Sequence, residues 1–473
     1  MKKGFPTILI LFGITGDLAH TKVIPSLYKL YSKNLLPELF TVIGFGRRDL
    51  TDDGVKNLIT KSLNSKEDTA SVMKFASIFK YHKGDFANLD DYISLAAKLG
   101  FTDKQWNTCA NKLFYLAVPP AYYNELTNHL HDSRLTEPCG PDEGWTRVLI
   151  EKPFGTDKHS ARKLDASLGR MFKEEQIYRI DHYLAKEMMQ NILAFRFSNN
   201  LLEDSWNNKT VEQIKIRFIE SEGVETRGSF YDGIGALRDV GQNHLLQMLA
   251  LTTMEQPQSF SGNDVRARRE EILQQLVPPC GDQISSHTFR AQYSSFKDIE
   301  GVEGTSKTET YFKLIAQLNS PRWEGVPITL EGGKGLKTAR KEIKLIFKPV
   351  NSKITTLTDG LDYKNRVIIN LESGEEGINI RFWAKKPGLA FEFEEATFEF
   401  DFTNSKSISL KADEYEKLLL DAIEGSQELF ITTKEAQYSW DFIDPIIEAW
   451  QKDAIKLYNY DKNSNDILDK PEF

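Results

Sequence analysis

Cysteine is scarce: Cys109, Cys139 and Cys280 are the only three in 473 residues. Their spacing fits neither a disulfide framework nor a zinc site, so no metal is expected and the compartment reads as reducing and cytoplasmic. Long apolar runs are missing too. The opening MKKGFPTILILFGITGD sets two lysines before an apolar stretch, but Ile8 to Phe12 is too short for a secretory h-region and Asp17 follows closely. Nothing later is apolar for long enough to cross a membrane. Positive charge is not in excess either. Lys and Arg total 60 against 68 acids, a formal charge of −8. That excludes an extended nucleic-acid surface but leaves room for a local basic pocket. No repeat or low-complexity tract is present, and the tail after Tyr458 reads as polar and frayed.

What is present is a chain too long for one core, with 40% hydrophobic and 27% charged residues. TILILFGITGDL is an aliphatic run halted at Gly13, with Gly16 three residues on. Val23, Leu27, Leu30 and Tyr31 then recur at helical spacing, and FTVIGFG forms a second apolar run ending at Gly46. Strand, glycine turn, helix and strand open a doubly wound nucleotide fold, with a pyrophosphate expected at the helix N-terminus. By itself Gly13-x-x-Gly16 is a weak signal, because a glycine after a strand is often only a turn. The second strand sharpens it. NAD-binding folds usually close this strand with an acid for the ribose hydroxyls, whereas here Arg47 and Arg48 follow, suited to a 2′-phosphate. NADP is therefore favoured over NAD, with NAD as the weaker alternative; two solvated arginines are the plain reading. Further strands are expected over Leu113–Val118 and Val148–Ile150. The second opens into Glu151-Lys152-Pro153, placing Lys152 at a strand end where cofactor or substrate could be reached.

After residue 178 the pattern changes. TVEQIKIRFIE, KEIKLIFKPV, RVIINLE, GINIRFW and LAFEFEEATFEF alternate polar with apolar, as half-buried strands do. The expected fold is α/β plus α+β: a Rossmann-like doubly wound domain over 1–178, then a larger β+α domain with a mostly antiparallel sheet over 179–473. ADEYEKLLLDAIEG returns to helical spacing.

Two segments of the second half concentrate chemistry. In RGSFYDGIGALRDVGQNHLLQMLALTTMEQP, Leu237, Val240, Leu245, Met248 and Leu249 make a buried helix face, with His244 on or beside it. A lone histidine there is more often a satisfied core residue than a base. A partner is available in Asp181, at the head of RIDHYLAKEMMQNILAFRF, and an aspartate that orients an imidazole makes a general base near neutral pH. In the same segment His182 and Lys186 stand four apart, which on a helix puts them on one face; with Tyr183 they offer donors to a single anion.

These stretches resemble the glucose-6-phosphate 1-dehydrogenase family. GITGDL, LFYLAVPP, EKPFG, RIDHYLAKEMMQN, RDVGQNHLLQML, RWEGVPITLEGGKGL, KPGL and EKLLLDAIEGSQELF carry the likeness, in order, from about residue 7 to 450. The resemblance implies oxidation of glucose 6-phosphate at C1 to 6-phosphoglucono-1,5-lactone with reduction of NADP, the first step of the oxidative pentose phosphate pathway. It implies His244 as general base and Asp181 as its partner. Phosphate contacts fall on His182, Tyr183 and Lys186, and sugar contacts on Glu220 and Asp239. Lys334 and Lys22 become further substrate-side lysines, and Lys152 is shared by sugar and nicotinamide. For the cofactor it implies Gly13, Ile14, Thr15, Gly16, Asp17 and Leu18, with Arg47 on the 2′-phosphate and Asp85 and Phe86 on the adenosine half. A homodimer or homotetramer formed through the second domain's sheet is also implied. The chain departs from the family at His20 and Thr21, where lysine or arginine is common, and at Ala339, where an arginine is frequent and Arg340 stands one place late. Two other readings remain at this point: an oxidoreductase for another sugar or polyol, and a module that binds NADP without turnover.

Overall fold

The computed structural model describes residues 5–63, 67–140, 143–349, 362–468 and 470. They fall into two compact units, each with its own sheet. The first comprises Met1–Ala185, Ser259–Arg266 and Ala412–Thr433; the second comprises Lys186–Gln258, Ala267–Lys411 and Lys434–Phe473. A single boundary at 178/179 does not contain this arrangement, because two later segments return to the first unit.

In the first unit, strands β1 (Thr7–Phe12), β2 (Phe40–Gly46), β3 (Phe79–Lys83), β4 (Asn111–Leu116), β5 (Thr146–Glu151) and β6 (Ile177–Ile180) lie in the order β6-β5-β4-β1-β2-β3. All five junctions are parallel, and the short strand Phe430–Ile431 adds antiparallel to β6. This is the doubly wound order, with its switch point between β1 and β4. The apolar opening that had to be weighed as a leader is the central strand, buried at every position. β4 begins and ends two residues earlier than its apolar run suggests, and β5 is longer at both ends.

The returning segments are held by buried charge. Arg179 is fully buried and pairs with Asp165 at 2.9 Å and Glu174 at 3.1 Å. Glu174 also takes Arg266 at 3.1 Å and the Thr433 amide at 3.0 Å. A buried guanidinium must be paired in this way, and losing a partner costs about 3–5 kcal/mol. The expected helix near residue 412 is Glu414–Glu424, started by a capping box between Asp413 and Glu416.

The second unit is built on β7 (Val211–Ile219), β8 (Thr288–Tyr293), β9 (Tyr311–Ala316), β10 (Ile328–Gly333), β11 (Arg340–Phe347), β12 (Arg366–Asn370), β13 (Gly377–Lys385) and β14 (Phe393–Asp401). With Leu457–Tyr460 they form a sheet ordered β14-β13-β12-β11-β7-β10-β9-β8-(457–460). It is mostly antiparallel; β7 with β10, and Leu457–Tyr460 with β8, are the parallel pairs. All five alternating segments are strands. The described part of the tail is not frayed. Tyr460 and Ile467 join a core with Ile219, Tyr293, Tyr311 and Leu336, and the Tyr460 hydroxyl donates to the Lys334 carbonyl at 2.6 Å. Its polar residues hid two buried side chains.

The cysteine reading needs correction. Cys109 and Cys139 form a disulfide across 30 residues. Count and spacing in sequence do not report that the helix Leu89–Trp106 and the loop before β5 bring the two together. Cysteine usage therefore no longer argues for a reducing compartment. Among the described residues, no helix is long and apolar enough to cross a membrane.

Candidate active site

The expected residues gather in two sets, one in each unit. In the first unit they lie at the carboxyl ends of parallel strands, where open α/β sheets bind ligands. After β1 the chain turns at Gly13, whose φ is +83° and where a Cβ would come within 2.4 Å of the Ala117 carbonyl oxygen. Only glycine meets both demands. The Gly16 amide closes the turn onto the Gly13 carbonyl at 2.8 Å. Ile14 is buried in this turn, Thr15, Gly16 and Leu18 are partly covered, and Asp17 and Lys22 face solvent. The turn feeds a short π-wound stretch, Ala19–Val23, and then the helix Ile24–Ser32. His20, where a lysine or arginine is common, bonds Ser62 through Nδ1 at 2.5 Å, tying this stretch to the helix Asp52–Ser62.

Arg47 leaves the end of β2 exposed, its guanidinium 6.0 Å from the Phe86 ring and 5.8 Å from the Tyr122 ring. A planar cation beside two aromatic faces offers stacking and a bidentate donor fork together. Asp85, after β3, is exposed; its carboxylate accepts the Ala87 amide at 3.1 Å, while the Tyr92 hydroxyl donates to the Phe86 carbonyl at 3.0 Å.

Lys152 follows β5 directly, joined to Pro153 by a cis bond. The residue before it, Glu151, was not anticipated. Burial pushes its carboxyl up to about 7, against the pull of hydrogen bonds from Tyr115 and Tyr415 and the Lys152 charge. The Tyr115 hydroxyl donates to it at 2.7 Å.

Asp181, His182 and Tyr183 do not sit on a helix. β6 ends at Ile180, a turn occupies 181–186, and the helix runs Glu187–Phe197 with Lys186 at its N-cap. The Asp181 Oδ1 accepts the Tyr183 amide at 3.0 Å, and the Leu184 amide bonds the Asp181 carbonyl at 3.0 Å. An aspartate that captures an amide two residues on makes a turn rather than a helix start. The helical spacing expected to put His182 and Lys186 on one face therefore does not apply: His182 lies in the turn and Lys186 caps the helix. His182 lies against the Tyr183 ring at 5.0 Å and stacks on Tyr415 at 6.2 Å and 21°.

In the second unit, Glu220 and Lys334 leave the same ends of the parallel neighbours β7 and β10, and the Glu220 amide bonds the Gly333 carbonyl at 2.8 Å. The buried Lys334 ammonium pairs with Glu220 and, at 3.1 Å, with Asp239. Burial works against its charge, but Asp239 and Glu220 outweigh it and hold the lysine above its ordinary range. Asp239 and His244 share the segment Leu237–Leu245, which is wound as a π-helix. Residues five apart would diverge by ~140° on an α-helix; i→i+5 winding narrows that angle. His244 is buried and stacks on Phe218 of β7 at 5.5 Å and 20°. Gly241 and Gly332 make room for the Phe312 ring, since a Cβ at either would come within 2.9 Å of it. Arg340 opens β11 in solvent, apart from the Lys334 pairings.

Comparison with known proteins covers both units. The model of the glucose-6-phosphate dehydrogenase NAD binding domain matches residues 10–191, and that of the glucose-6-phosphate dehydrogenase C-terminal domain matches 193–470. Glucose-6-phosphate 1-dehydrogenase 2 of Mycobacterium tuberculosis is 37% identical over 461 residues, 94% of this chain and 88% of the relative. The glucose-6-phosphate 1-dehydrogenase of Borreliella burgdorferi is 36% identical over 479 residues, 98% of this chain and 97% of the relative. A solved glucose-6-phosphate dehydrogenase in complex with its substrate glucose-6-phosphate superposes with a TM-score of 0.89 at 31% identity, over 98% of this chain and 96% of that one. The Mycobacterium avium enzyme gives 0.83 at 29% identity, over 97% and 95%. With both halves matched along nearly their whole length, the chain belongs to the glucose-6-phosphate dehydrogenase family.

Proposed function

We propose that the protein oxidises glucose 6-phosphate at C1 to 6-phosphoglucono-1,5-lactone, with NADP as hydride acceptor. The observation that carries the reading is Lys334 held between Glu220 and Asp239, on the segment that also bears His244. Two carboxylates suited to sugar hydroxyls accompany an imidazole suited to one proton.

His244 takes the proton of the C1 hydroxyl as the C1–H bond breaks, its electron pair leaving as hydride and the C=O of the lactone forming. Asp181 orients the imidazole and stabilises its protonated form. Glu220 and Asp239 accept from sugar hydroxyls, with Lys334 fixing the carboxylates. His182, Tyr183 and Lys186 hold the phosphate, aided by the N-terminus of the helix Glu187–Phe197. Lys152 donates between sugar and nicotinamide sides, and Lys22 adds positive charge on the substrate side.

The turn from Gly13 to Leu18 suits a pyrophosphate, since it joins the end of a parallel strand to the start of a helix, where backbone N–H groups and the helix dipole favour an anion. Arg47 would hold the 2′-phosphate, and Asp85 and Phe86 the adenosine half. When bound, NADP supplies the nicotinamide that receives the hydride.

Absorbance of reduced nicotinamide, followed with glucose 6-phosphate or glucose and with NADP or NAD, tests the proposal. Turnover with the sugar phosphate, dominated by NADP, is expected. Equal turnover of glucose would remove the phosphate cradle, and NAD-only turnover would remove the Arg47 assignment.

Homo-oligomerisation through the second unit's sheet belongs to the same reading. Its outer strands and hairpin expose Leu389, Phe391, Phe398 and Phe400, an apolar patch that a second copy would cover. Light scattering that gives a monomer mass would contradict it. A cytoplasmic location is part of the proposal, because both reactants are charged metabolites that membranes retain.

A further inference from the structure

The assignments above leave Glu151, Tyr115 and Tyr415 without a task, although all three stand behind Lys152 and His182. Tyr415 belongs to the late segment Ala412–Thr433, which packs with the first unit. It is buried, and its amide is fixed by the Asp413 carboxylate at 3.1 Å. Its hydroxyl bonds the Glu151 carboxyl. Glu151 in turn takes the Tyr115 hydroxyl of β4 at 2.7 Å through its side chain and the Tyr123 hydroxyl at 3.1 Å through its carbonyl. Tyr415 is thus anchored to the centre of the parallel sheet. Its ring lies nearly parallel to the His182 imidazole, with centroids 6.2 Å apart and planes at 21°, while the Tyr183 ring lies at 5.0 Å and 59°.

We propose that Tyr415 is a positioning residue for His182: held by Glu151 through its hydroxyl, it sets the plane in which the imidazole meets the sugar phosphate. The inference rests on the reading of His182 as a phosphate contact. An imidazole in a turn can rotate about two side-chain bonds, and hydrogen bonds to phosphate reward only one ring direction. A fixed aromatic face on one side and Tyr183 on another remove most of that freedom before substrate arrives, so less is lost on binding. The hydroxyl matters because it ties the ring to β4 and β5 instead of to the helix Glu414–Glu424 alone.

The test is a double-mutant cycle on the full-length enzyme, read as KM for glucose 6-phosphate, KM for NADP and kcat. Tyr415→Leu is expected to raise KM for the sugar phosphate by about tenfold, with kcat and KM for NADP within about twofold. Tyr415→Phe keeps the ring and loses the anchor; about threefold is expected, and this variant carries the test if Tyr415→Leu does not fold. His182→Asn should raise the same KM, and adding Tyr415→Leu to it should change nothing more. Multiplying effects would overturn the proposal, because they would mean that Tyr415 acts without His182. So would a KM for NADP that moves as far as that for the sugar phosphate. If His182→Asn leaves KM unmoved, the phosphate assignment of His182 fails first and the proposal falls with it.

Discussion

The glycine turn of the first unit and the Lys334 cluster of the second are built by opposite means. The turn works through backbone: a positive-φ glycine pressed against Ala117 and an adjacent helix start, with exposed Arg47 and Asp17 at its margin. The cluster works through side chains, with Lys334 and His244 almost wholly enclosed and Glu220 and Asp239 partly so. Charges at an exposed margin can be removed at the cost of their own contact. Charges in a closed cluster cannot, because each removal leaves a partner behind in a poor solvent. The first region should therefore tolerate substitution in its fold while changing its ligand preference, and the second should lose stability and chemistry together.

The largest effect should come from His244→Asn, which removes the proposed base but keeps much of the ring's volume. Turnover should fall by about 10²–10⁴-fold while KM for glucose 6-phosphate stays within a few-fold. Steady-state kinetics check it, and unchanged turnover would remove His244 from the chemistry. Next is Lys334→Met, which strands Glu220 and Asp239 together. Urea unfolding should show a loss of about 3 kcal/mol. A stable Lys334→Met protein would show that the cluster is solvated and the contrast between the regions false.

Glu151 sharpens the contrast from inside the first unit. Burial raises its carboxyl from 4.5 to about 7, so the folded state keeps a proton that the unfolded chain releases. Its contribution to stability is therefore greatest at low pH and falls as pH rises through that interval. Relative to wild type, Glu151→Gln should unfold with a flatter pH dependence, gaining about 2 kcal/mol by neutral pH. Parallel curves across the interval would place the carboxyl in water. The smallest effect belongs to Arg47→Ala. The ratio of kcat/KM for NADP over NAD should narrow by about tenfold with no change in unfolding free energy. A fixed ratio would mean that another group reads the 2′-phosphate.

The same contrast explains what could be read without coordinates. The cofactor turn was legible because a strand, Gly13, Gly16 and a helix are contiguous, and backbone geometry is encoded locally. The five alternating strands of the second sheet were legible for the same reason. Glu220, Asp239 and Lys334 come from two strands and a helix far apart in the chain, so only likeness to a family pointed to them. The turn at 181–186 was misread as helix because i,i+4 spacing fits both, and Asp181's capture of the Tyr183 amide decided it. The helix that carries Tyr415 was legible from its spacing, but nothing in that spacing shows that it joins the first unit. The Cys109–Cys139 bridge and the buried Tyr460 and Ile467 were hidden likewise, since pairing across space leaves no local pattern.

The central claim is the proposed role of His244 as general base with Asp181 as its carboxylate partner, and the pH profile of kcat/KM for Asp181→Asn tests it most directly. Loss of the carboxylate should lower both the plateau and the pH of the acidic limb, because the protonated imidazole loses the charge that stabilises it. A profile with the plateau and limb of the wild type would contradict the account.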